Sequence, residues 1–149
     1  MKSISNKETL KIGIEQMNTC SNKNKNIQTA KEKVSECAKN GAEIVILPEI
    51  FNSPYSSAKF PEYAEPQNGP SWESLSKMAS DNTVYLVGGS IPESYHDKVY
   101  NTSFVFDPTG KEISHHRKMH LFDIDIEGGQ KFKESDTLIG GDEVTTFEI

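Results

Sequence analysis

Three stretches of the 149-residue chain carry side chains that could do chemistry. Glu49 follows the apolar run Ile44-Val45-Ile46-Leu47 and a proline. In open α/β sheets, sites form beyond the carboxyl ends of strands. A carboxylate placed there beside Phe51 and Tyr55 is expected to be partly desolvated, which makes it a better base near neutral pH. Lys118 lies in His115-His116-Arg117-Lys118-Met119-His120. On an extended segment it shares a side with His116 and His120, opposite Arg117 and Met119. An inward lysine pairs with a carboxylate and offsets the charge of a developing oxyanion. The third stretch, residues 126–135, holds Glu127 and Glu134 around Gly128-Gly129, which has neither the spacing nor the following helix of a phosphate loop. Taken singly, Glu49, Lys118 and Glu134 each read more simply as solvated surface groups.

His115, His116 and His120, with Asp123 and Asp125, invite a metal reading. Arg117 and Lys118 among them put like charge where a cation would sit, so no metal site is expected. Cys37 falls on the apolar face of a helical pattern, and Cys20 has no neighbouring base in sequence. Neither reads as a nucleophile. With no secretory signal, both are expected to be reduced, and the sequon Asn101-Thr102-Ser103 is expected to stay unused.

The elements that must position these groups follow from periodicity. Leu10, Ile12 and Ile14 alternate with polar residues and Gly13, as in a strand with one buried face. From Asn26, apolar residues recur at Ile27, Ala30, Val34 and Cys37/Ala38, and Asn40-Gly41 is a natural stop. Glu43–Leu47 then reads as a strand covered on both faces. Strand, helix, strand over about forty residues is a βαβ unit of a layered α/β protein. Residues 51–70, with four prolines, form a long loop of the kind that is often functional. Ser71 caps a helix carrying Trp72, Leu75, Met78 and Ala79, and Val84–Val87 is a third apolar strand. Val99–Phe106 and Glu112–Leu121 flank Asp107-Pro108-Thr109-Gly110, a type I turn signal for a hairpin. Residues 122–142 read as irregular, and Val144–Ile149 as a further strand.

Composition bounds the answer. The net charge is −6, from 16 Lys+Arg against 22 Asp+Glu. It argues against nucleic-acid binding, which needs clustered cations. The longest apolar run has four residues, far short of the ~20 that a membrane span requires. Residues 1–40 are basic and the remainder acidic, but the first ten lack an apolar h-region, so residues 1–9 read as a flexible tail.

Taken together, the segments are more specific than any one of them. Leu47-Pro48-Glu49, Phe51-Asn52-Ser53-Pro54-Tyr55, Val87-Gly88-Gly89-Ser90-Ile91-Pro92-Glu93, Tyr100-Asn101-Thr102-Ser103, Arg117-Lys118-Met119-His120-Leu121-Phe122-Asp123 and Phe132-Lys133-Glu134-Ser135 occur in the order and spacing of one family. They resemble blocks of the nitrilase, or carbon–nitrogen hydrolase, superfamily, on the side of its ω-amidases. The resemblance implies an αββα sandwich, of which residues 10–149 would be the N-terminal portion. It implies a Glu–Lys–Cys catalytic set without metal or cofactor: Glu49 as general base, Lys118 as oxyanion stabiliser and Glu134 as a positioning carboxylate. Phe51 and Tyr55 are the candidate substrate contacts.

The family's cysteine lies in a later block, which this chain does not contain. The expectation is therefore a chain truncated before its nucleophile and inactive alone. The complete enzyme would hydrolyse ω-amides of short α-keto dicarboxylates, such as α-ketoglutaramate, through a thioester. It would act as a cytoplasmic or mitochondrial homodimer, binding neither nucleic acid nor membrane. Two alternatives stand beside it: a non-catalytic paralogue that pairs with a full-length relative, and an amidase of another branch, such as a nitrilase or a deaminated glutathione amidase.

Overall fold

A computed structural model describes residues 9–149, so the expected tail lies, but for Thr9, outside the described residues. The chain opens with strand β1 (Ile12–Ile14) and helix α1 (Lys23–Lys39). Asn22 caps α1 by accepting the Lys25 N–H. Strand β2 (Ile44–Ile46) then pairs parallel to β1. The 51–70 loop contains a 3₁₀ turn (Ser57–Lys59) and a short helix, α2 (Phe60–Tyr63). Helix α3 (Pro70–Asn82) returns the chain to β3 (Tyr85–Val87), parallel to β2. The start of α3 corrects the expectation for Ser71. Gly69 is the cap, Pro70 is the first helical residue, and Ser71 instead donates its backbone N–H and hydroxyl to the buried Glu65 carboxylate.

From β3 onward the pairing is antiparallel. Strand β5 (Lys98–Phe106) is long enough to pair with β3 and with β4 (Ile91–Tyr95) along one edge. Its other edge takes β6 (Glu112–Arg117), through the expected turn at Asp107–Gly110. A two-stranded hairpin comes next, β7 (Asp123–Asp125) with β8 (Lys131–Lys133), in a region that reads as irregular in sequence. Val144–Ile149, expected as a strand, finds no ladder partner among the described residues and has no regular structure.

Both parallel crossovers lay their helices on the same side of the sheet. In register there, Gly13, Val45, Leu86 and Phe106 face α1 and α3, and Val45, Leu86, Phe104 and Phe106 join Ala30, Val34, Leu75 and Met78 in the main core. Gly13 cannot be larger, because a Cβ there would collide with Cys37. This corrects the reading of β1: its apolar side chains are on the uncovered side, with Ile12 49% and Ile14 74% exposed. A second, smaller cluster of Ile50, Phe60 and Leu138 ties the 51–70 loop to the β7–β8 region.

Candidate active site

The sheet's uncovered side ends in an open cleft of about 460 Å³. Its apolar wall is Ile46, Leu47 and Val87, and its polar wall is Glu49, Ser90, Asn101, Ser103, His116 and Lys118. Sequence parity places these groups. Asn101 and Ser103 alternate with Thr102 and Phe104 on β5, and His116 and Lys118 alternate with Arg117 along β6 and its extension. Arg117 points to the other side, where it grips buried Glu93 through two 2.8 Å hydrogen bonds and lies over the rings of Tyr95 and Tyr100. Lys118 remains in the ladder's path, its backbone N–H donating to the Asn101 carbonyl at 2.8 Å.

Two carboxylates meet at the Lys118 ammonium. Nζ lies 2.8 Å from Glu49 Oε1 and 2.9 Å from Glu134 Oε2. Glu134 begins a 3₁₀ turn and is fully buried. It is no solvated loop acid: it accepts from the Tyr55 hydroxyl at 2.8 Å and the Phe122 N–H at 2.6 Å as well. Burial by itself would push the Glu134 carboxyl up, but those donors and the ammonium outweigh it and hold it below the usual carboxylate range. Burial likewise acts to lower Lys118, but the two carboxylates keep it above the ordinary lysine value. Tyr55 is pushed well above the phenol range by burial and then by its bond to Glu134. Lysine, Glu134 and tyrosine therefore hold fixed protonation states across neutral pH.

Glu49 is set differently. Its side chain is 47% exposed, so the desolvation expected from its aromatic neighbours is not present in this chain. The residue after it, Ile50, has φ +51°, a left-handed conformation that is rare for a β-branched side chain. The Ser90 hydroxyl accepts the Ile50 N–H at 2.9 Å, and the Phe51 N–H bonds the Ser90 carbonyl at 3.1 Å. Gly89, at φ +58°, lets this happen, because a Cβ there would overlap the Pro48 carbonyl. The turn leaves Glu49 at the cleft and sends Ile50 and Phe51 into the two cores.

The turn also corrects one candidate. Phe51 is fully buried in the main core and does not line the cleft. Tyr55, the other expected substrate contact, uses its hydroxyl on Glu134 and stacks its ring on Phe132, 5.4 Å between centroids. Asn101 and Ser90 are the site residues that sequence reasoning passed over. For Asn101 the available signal was the polar run Asn101-Thr102-Ser103 in the middle of β5, where alternation sets Asn101 and Ser103 on one face. The two cysteines are elsewhere. Cys37 donates to Glu15 at 2.8 Å, and burial, followed by that bond, pushes its thiol up to about 11. Cys20 bonds Asn26.

A buried carboxylate, a half-exposed carboxylate and an ammonium thus converge at the cleft, able to accept a proton and to offset developing negative charge there. The chain belongs to the carbon–nitrogen hydrolase family, whose model matches residues 11–149. Hydrolase C26A3.11 of Schizosaccharomyces pombe is 54% identical over 140 residues, covering 93% of this chain and 44% of that protein. Omega-amidase NIT2 of Mus musculus is 48% identical over 140 residues, covering 94% of this chain and 51% of the mouse protein. Saccharomyces cerevisiae Nit3, a member of branch 10 of the nitrilase superfamily, superposes with a TM-score of 0.81 at 37% identity, over 93% of this chain and 51% of that structure. The fold is thus the nitrilase-superfamily α/β fold, and the chain spans about half the length of the curated relatives it matches. No helix among the described residues is long and apolar enough to cross a membrane.

Proposed function

We propose that this polypeptide supplies the base and the oxyanion-stabilising half of an ω-amidase active site, acting on primary amides of short α-keto dicarboxylates. The carrying observation is the Lys118 ammonium clasped by Glu49 and Glu134 at the cleft. The mouse omega-amidase NIT2 at 48% identity supports the ω-amidase reading. The reaction needs a thiol that neither Cys20 nor Cys37 supplies from its position, so in this reading the thiol comes from further polypeptide of a complete enzyme.

With that thiol in place, Glu49 takes its proton and the sulfur attacks the amide carbon. The carbonyl oxygen gains charge against Lys118, which stays protonated because two carboxylates hold it so. The tetrahedral adduct collapses, the C–N bond breaks, and ammonia leaves with the proton that Glu49 held. Glu49 then deprotonates water, which attacks the thioester, and the sulfur departs with that proton. Glu134 keeps Lys118 aimed throughout. Additional polypeptide over the Ile14/Ile46/Val87 side would also desolvate Glu49, which is half exposed in this chain. The outer side of α1 and α3, with a shallow groove at Ile27, Lys31, Ser74 and Met78, is the face by which we propose two such subunits pair.

The test is ammonia release from α-ketoglutaramate. The 149-residue chain is expected to release none above background, beside mouse omega-amidase NIT2 as the positive reference. Joined to a thiol-bearing remainder, the same chain should gain activity that Glu49→Gln lowers by about 10²–10⁴-fold. Ammonia release by the isolated chain at a rate near the reference's would overturn this reading.

A further inference from the structure

Asn is a poor strand former, yet Asn101 sits inside β5 among Val, Tyr, Thr and Phe, only 2% exposed. It bonds both residues of the site, Lys118 through the backbone and Glu49 through the side chain. The backbone carbonyl accepts the Lys118 N–H at 2.8 Å, and the side-chain Nδ2 donates to Glu49 Oε1 at 2.8 Å. The amide can face only this way, because the reverse would set its oxygen against a carboxylate. Lys118 Nζ donates to the same Oε1. Two donors occupy that oxygen's two lone pairs, and among the described residues no donor reaches Oε2.

We propose that Asn101 is the positioning residue for the general base: it fixes Glu49 Oε1 so that Oε2 is the oxygen that takes and returns the proton. The proposal rests on the amidase reading for the direction of proton transfer. Lys118 cannot do this alone. Its ammonium is a rotatable point charge shared with Glu134, and it leaves a half-exposed glutamate free to swing. A neutral amide adds direction without adding the second positive charge that would weaken the base. The backbone bond from Lys118 does not depend on the residue-101 side chain, so side-chain substitutions isolate the contact to Glu49.

The test uses the 149-residue chain and needs no turnover. In carbon- and nitrogen-detected NMR titration, the Asn101 side-chain amide should move with the Glu49 carboxyl carbon at one shared midpoint. Asn101→Asp, which keeps the shape but sets a like charge against Glu49, should raise that midpoint by about one pH unit. Asn101→Ala should raise it by less, and Ser114→Ala on the neighbouring strand should leave it in place. A Glu49 titration to which the wild-type Asn101 amide does not respond overturns the proposal, whether or not the variants fold. So does a midpoint unmoved in both folded variants. An inactive complete enzyme with the shared midpoint intact would count against the amidase reading and leave the contact standing.

Discussion

Across β1, β2 and β3 both faces of the six-stranded sheet carry apolar side chains, and the two faces end in different states. On the helix side, Val45, Leu86, Phe104 and Phe106 are at most 1% exposed. One residue further along the same strands, Ile14, Ile46, Val87 and Val105 fall in register across the other face, where Ile14 is 74% exposed and Ile46 and Val87 wall the cleft. Alternation within a strand therefore marks faces that want cover without saying which face receives it. Towards β5 and β6 the open face turns polar, through Asn101, Ser103, His116 and Lys118, and the site lies where apolar wall meets polar wall.

Removing a side chain from the covered face should have the largest effect. Phe104→Ala opens a cavity between the sheet and the helices and should cost about 3–5 kcal/mol in urea unfolding of the chain. A cost below about 1 kcal/mol would mean that the helix side is no tighter than the open side, and the contrast would fail.

Glu134 brings the covered condition into the polar site, and its removal should rank second. Tyr55, Phe122 and Lys118 all present donors to it. Glu134→Gln offers one acceptor oxygen and turns an NH₂ towards a donor, leaving buried groups unpaired. Breaking a buried pair typically costs 3–5 kcal/mol, but Lys118 is about a quarter exposed and keeps Glu49, so about 2–3 kcal/mol is expected. Glu49→Gln, at a half-exposed position, should cost under about 1 kcal/mol in the same assay.

The same pair predicts a pH profile. Glu134 is held below its unfolded value, so its contribution is present above about pH 4.3 and is lost as pH falls through the lower folded value. Lys118 and Tyr55 are held above theirs, so their contributions are full below about pH 10 and are lost as pH rises through the higher folded values. Unfolding free energy followed against pH should fall at both ends. In Glu134→Gln the acid limb should be shallower, and an unchanged acid limb would place the folded Glu134 carboxyl at its ordinary value.

Much of this was legible in the sequence where one signal dominated. The 3.6-residue spacing of Ile27, Ala30 and Val34 marked α1, and the alternation around Lys118 placed it beside His116. The features that escaped were set by tertiary context. Pro92 and Glu93 hide β4, since a proline demotes a strand and a buried glutamate needs Arg117 from β6 to be tolerated. The β7–β8 hairpin has a single apolar residue facing in per strand, too few for a periodicity, and is held by Phe132 on Tyr55. Phe51 misled because the left-handed Ile50 reverses the side-chain parity beyond Glu49, and nothing local to isoleucine announces a positive φ.

The smallest effect on stability tests the open face itself. Ile14 contributes little to the fold of a single chain, because three-quarters of it is already in water. It lies on β1, at the edge of the sheet, beside Ile46 on the apolar wall. Ile14→Lys should therefore change unfolding free energy by no more than about 0.5 kcal/mol. It places charge on an edge strand and on an apolar patch, both of which favour association between copies when left bare. The expected outcome is a shift towards monomer in sedimentation velocity at matched concentration, with the urea midpoint unmoved. If Ile14→Lys instead destabilises the chain as much as Phe104→Ala, the face is covered in solution and the two sides of the sheet are energetically alike.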